Sequence, residues 1–209
     1  MQPSTQLPPE YQLRGEIDLS QNKKLALLLN LVGTILIFVF GALFGWLTLR
    51  LRPDLTLGSW EVSSISQLLK FVLVLIGLTI AQVTLHELVH GLFFWLATKS
   101  RPRYGFKGLY AYAAAPEWYL PRNRYLVVGL APVVGMSLVG LLFISFVPQG
   151  LVLPLFYVIA INAAGSIGDL LVAGWLLFKP ATTLIQDAGD AVAIYQQKAR
   201  TESETNGEE

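Results

Sequence analysis

FVLVLIGLTIAQVTLHELVHGLFFWLAT, residues Phe71–Thr98, contains no lysine or arginine and a single acid, Glu87. A helix over this run would extend about 40 Å, enough to cross a hydrocarbon core of about 30 Å. Ionisable side chains at that depth are costly and mark function by default. His86, Glu87 and His90 all fall inside the run, within "TLHELVHGLF", residues 84–93.

The rest of the 209-residue chain agrees with a membrane setting. It is 54% hydrophobic and 14% charged, with a mean hydropathy of +0.54, against about 25% charged residues in soluble domains. Three further stretches, Leu25–Leu49, Tyr125–Phe146 and Leu151–Phe178, are uncharged apart from Asp169 and long enough to span. "VPQG" (147–150) leaves room only for a tight turn between the last two. The first run is longer than a signal-peptide core and follows Glu16 and Asp18, so it is expected to be retained. None of the four alternates in the manner of a membrane barrel, so helices are the expected spanning form. The expected fold is an all-α polytopic membrane protein with four transmembrane helices. Residues 1–24 precede a helical domain over 25–195, and an acidic tail over 196–209 is predicted to be disordered.

The net charge is +1, and the basic residues cluster beside the apolar runs. That distribution suits topology determinants and gives no nucleic-acid surface. With no cysteine, disulfides and thiolate metal sites are excluded. Arg14, Lys23 and Lys24, the six basic residues of 99–124, and Lys179, Lys198 and Arg200 face one side. Arg50, Arg52 and Lys70 face the other. The positive-inside rule then puts both termini in the cytoplasm of a multi-pass protein, with the plasma membrane the expected location.

"HELVH" fits H-E-x-x-H, and its two histidines are the only ones in the chain. On a helix His86 and His90 stand one turn apart on one face, so both imidazoles can reach one ion. Zinc takes two histidine nitrogens and a carboxylate while leaving a position for water. Glu87 can then accept that water's proton as general base. One zinc per chain is the expected cofactor. A haem is excluded, because two histidines one turn apart cannot ligate opposite faces of a porphyrin.

The third ligand must be an acid, and Glu117, Asp169, Asp187 and Asp190 compete. His86 and His90 precede Lys99, and Asp169 precedes Lys179, by distances that put all three about 14–20 Å along their helices from the same boundary. Asp187 and Asp190 follow "KP" and are expected at or beyond the surface, and Glu117 lies in a loop. Asp169 is therefore the expected ligand. Asn162, Ser166 and Asp169 fall at i, i+4 and i+7, one polar stripe on an apolar helix. Asn162 and Ser166 could orient the aspartate or bind a substrate carbonyl, or simply join helices by hydrogen bonds. Gly165 and Gly168 would let another backbone come close there.

"TLHELVHGLFF" on one apolar helix and "NAAGSIGD" on a later one resemble the membrane zincin peptidases, a small family related to the site-2 proteases. The resemblance implies zinc held by two histidines and an aspartate, with a glutamate base: His86, His90, Asp169 and Glu87. Site-2 proteases typically carry an Asp-Gly pair, where this chain has Gly168-Asp169 followed by Leu170. They have a proline where Gly165 stands, and no inserted regulatory module occurs here.

Between the second and third spans, "RYGFKGLYAYAAAPEWYLPRNRY" (103–125) could form a short β-hairpin beside the site or an interfacial loop anchored by its aromatic and basic residues. A strand edge there would serve proteolysis, since a substrate helix must be unwound and held extended. The expected function is zinc-dependent hydrolysis of a peptide bond within or next to the membrane. Its partners would be a membrane protein or peptide substrate and the bilayer. A metal-binding or transport protein, an inactive protease-like scaffold and an Fe(II) site are the alternatives. Transport leaves Glu87 without a task.

Overall fold

A computed structural model describes residues 1–55, 64–107 and 110–198. Its long helices are α1 (Lys23–Leu51), α2 (Ile65–Thr98) and α3 (Arg122–Ile144). Each is long and apolar enough to cross a membrane. Many of their large side chains point outward, Phe38 at 75% exposure and Leu73 at 66% among them. Hydrocarbon rather than water is the solvent such surfaces suit.

Where a fourth span is expected, the chain forms a bent pair of helices. α4 (Gln149–Gly165) and α5 (Ile167–Leu177) meet at Ser166 with a bend of 46°. The carbonyl of Asn162 accepts both the Ser166 backbone N–H (3.0 Å) and its hydroxyl (2.8 Å), a local back-bond that bends helices. Gly165 and Gly168 flank the break and weaken the helix on both sides. The bend falls between Asn162 and Asp169, so the expected stripe does not run along one straight helix.

The all-α expectation is too narrow. A four-stranded antiparallel sheet runs in the order β1-β6-β5-β4, from β1 (Tyr11–Asp18), β4 (Leu120–Pro121), β5 (Leu184–Asp187) and β6 (Ala191–Gln197). β2 (Arg103–Lys107) and β3 (Tyr110–Ala114) form the hairpin considered for the loop, with Arg103 opposite Ala114 and Lys107 opposite Tyr110. "YQLRGEID" alternates apolar or small residues with polar ones, the period of a half-buried strand. A register shift between Leu13 and Gly15 interrupts its pairing with β6, and Gly15 sits against the Trp175 ring of α5. The pairing of β1 with β6 also places both ends of the described chain on one side of the helices. Of the tail expected to be disordered over 196–209, Gln196 and Gln197 belong to β6 and the Lys198 N–H donates to the Glu10 carbonyl at 2.8 Å; from residue 199 on it lies outside the described residues.

Two apolar cores organise these elements. Phe44, Ile144, Val152 and Ile159 join α1, α3 and α4 at one end. Phe94, Tyr125, Val128, Leu176, Ile185 and Ile194 join α2, α3 and α5 to the sheet at the other. Cations lie over tryptophans at helix ends: Arg50 over Trp46 (5.6 Å), Lys99 over Trp95 (5.2 Å) and Lys179 over Trp175 (5.4 Å). Aromatic and basic anchors of this kind mark membrane interfaces.

Candidate metal centre

α2 carries His86 and His90 on one face, with their rings 4.8 Å apart. Each ring is fixed through Nδ1. His86 Nδ1 lies 2.9 Å from Asn162 Oδ1, and His90 Nδ1 lies 3.1 Å from the Val128 carbonyl. That carbonyl is available because its ordinary helical partner would be the backbone N–H of residue 132, and Pro132 has none. Asn162 is fully buried and locked in turn. Its Oδ1 also accepts from Gln82 Nε2 (3.1 Å), and its Nδ2 donates to the Pro132 carbonyl (3.1 Å). Both acceptors are oxygens, so each Nδ1 carries a proton, and in the neutral imidazole each Nε2 presents a lone pair.

The two Nε2 atoms face one another at 3.1 Å. Asp169, in the first turn of α5, closes the group, with Oδ2 3.3 Å from His86 Nε2 and Oδ1 3.3 Å from His90 Nε2. Taking one ligand atom per residue, all three lie within 4.8 Å of one another. Zinc–nitrogen bonds of about 2.1 Å imply tetrahedral ligand atoms about 3.4 Å apart. Two lone pairs and a carboxylate converging at that spacing leave a cation as the species that satisfies all three, so the donor set fits zinc.

Glu87 lies on the wall of the same cleft, whose volume is about 340 Å³. The backbone of Ala113 on β3 approaches its carboxylate, and Ala111, Tyr112 and Ala113 form one side of the cleft. The hairpin therefore stands beside the metal cluster. Ser166 is buried with its hydroxyl turned to Asn162. Of the roles open to it, Asn162 takes an interhelical hydrogen bond, holding His86 rather than Asp169.

The competing acids separate cleanly. Glu117 is exposed and ion-paired with Arg103, away from the cluster. Asp187 and Asp190, expected at or beyond the surface, both line the cleft. Asp187 is only 8% exposed, accepting from the Tyr125 hydroxyl (2.6 Å) and the Gly189 N–H (2.7 Å). Gly189 holds φ +96°, with the Tyr112 ring packed where a side chain would project. The turn thus pins the four-stranded sheet to the hairpin and the cleft. Sequence reasoning missed Gln82, Pro132 and this turn. Gln82 lies one turn before His86 on the same face, a polar residue in an apolar run, and that signal was legible.

Burial pushes the Asp187 carboxyl up to about 6, against the weaker opposing pull of Tyr125 and Gly189. The unfolded chain would release this proton near pH 3.9. Between about pH 4 and 6 the folded state therefore holds a proton the unfolded state has lost, and stability falls as pH rises through that window. The expected loss is about 2–3 kcal/mol. Thermal unfolding of Asp187→Asn should lack this slope; an identical pH profile in both proteins would refute the assignment.

The long apolar helices and the His–His–Asp cluster define a class: a multi-helix protein of membrane type with a site that could bind a metal ion. A family model described as "Putative zincin peptidase" matches residues 79–184, just over half of the chain. The chain belongs to that family. No curated protein and no solved structure matches it.

Proposed function

We propose that this chain is a zinc-dependent peptidase that cleaves a peptide bond within or beside the membrane, and that it is related to the site-2 proteases. The convergence of His86, His90 and Asp169 beside Glu87 carries the reading. Zinc bound there would polarise the scissile carbonyl and lower the pKa of water. Asn162 and the Val128 carbonyl hold the two imidazoles with Nε2 directed at the site. Glu87 takes a proton from the attacking water and delivers it to the leaving amine as the C–N bond breaks. The β3 edge offers main-chain hydrogen bonds to an extended substrate. The excess of lysine and arginine on the side that carries both termini supports cytoplasmic termini and a site nearer the cytoplasmic face.

The test is digestion of a mixed library of peptides from membrane segments by zinc-loaded protein in detergent. Cleavage that a chelator removes and zinc restores is expected. Zinc-loaded protein that cleaves nothing in the library would count against the reading. Asn162→Ala should weaken zinc binding about 10–100-fold by freeing the His86 ring. Competition with a chelating dye measures this, and unchanged affinity would remove Asn162 from the site.

A further inference from the structure

α1 contributes one side of the cleft through Ala26, Leu29 and Asn30. Gly33, one turn further on, packs against Ile167 and the Ala164 carbonyl at the break between α4 and α5. This face of α1 is thereby fixed beside the metal cluster. Within the apolar run Leu25–Leu49 the strongly polar side chains are Asn30, Thr34 and Thr48. The Thr34 hydroxyl turns back to the Asn30 carbonyl at 2.8 Å. The Asn30 carboxamide is exposed and lines the cleft, with no hydrogen-bond partner among the described residues.

An amide that lines a cleft and pairs with none of the described residues is available to a ligand there. Its chemistry matches one ligand class closely. A carboxamide donates through Nδ2 and accepts through Oδ1, the complement of a peptide unit's carbonyl and N–H. The hairpin edge at Ala111–Ala113 bounds the same cleft and offers main-chain groups of the same kind. We infer that Asn30 is a substrate-binding residue, gripping the backbone of an extended peptide on the side opposite β3. Because it reads main-chain groups, it would act on peptides irrespective of their side chains. The inference rests on the peptidase reading above.

The experiment compares two probes on zinc-loaded full-length protein in detergent: acetohydroxamate, which engages the metal alone, and a peptidyl hydroxamate with the same metal-binding group and two peptide units. Asn30→Leu should retain zinc and its affinity for acetohydroxamate. Its affinity for the peptidyl probe should fall about 10-fold, the loss of two hydrogen bonds. Equal loss of both probes, unchanged peptidyl affinity, or loss of zinc from Asn30→Leu would overturn the inference. If acetohydroxamate fails to bind the wild type, the zinc peptidase reading fails and Asn30's role fails with it. That outcome is distinct from binding that is indifferent to Asn30.

Discussion

Glu87→Gln should lower peptide-bond hydrolysis by about 10²–10⁴-fold, the usual contribution of a positioned general base, while zinc content stays at the wild-type level. Glutamine keeps the shape of glutamate and can still meet the Ala113 backbone, but it cannot accept a proton from water. Glu87 is not among the three side chains whose ligand atoms converge, so its replacement separates chemistry from metal binding. Parallel measurements of turnover and zinc per chain check both halves. Unimpaired cleavage would remove Glu87 from the mechanism, and lost zinc would make it a ligand.

Asp169→Ala should weaken zinc binding by more than about 100-fold, a larger effect than losing a group that only orients a ligand. Among the described residues it supplies the sole carboxylate within ion-pair distance of both Nε2 atoms. Without it, two imidazoles on one helix remain, while Glu117 is exposed and ion-paired and Asp187 is engaged by Tyr125 and Gly189. Zinc content after dialysis against a weak chelator gives the answer. A variant that keeps one zinc would move the third ligand elsewhere.

How much the sequence disclosed depended on the range of the interaction. The α2 histidines and Glu87 were legible because their relation is helical and local. Asp169 was legible through its distance along the chain, since 1.5 Å per residue measures both apolar runs back from the lysine that follows each. The hairpin at 103–114 could be read as one of two forms from its aromatic and glycine pattern. The four-stranded sheet was not foreseen, because β1 pairs with β6 across most of the chain and no short-range signal specifies such a partner. "LIQD" and "AVAIYQQ" flank Gly189, a hairpin pattern overshadowed by the adjacent apolar spans. The same omission misplaced Asp187, which distance along the chain put at the surface and sheet pairing folds back onto the cleft. The Pro132–Val128–His90 relay joins two helices and needed their packing to be seen.

The most direct test is zinc K-edge X-ray absorption on purified wild-type chain loaded with one equivalent of zinc. Two imidazole nitrogens with oxygen ligands completing the shell, at about 2.0–2.2 Å, are the expected result. A zinc shell without imidazole, or a chain that retains no zinc, would contradict the metal centre on which the proposed chemistry depends.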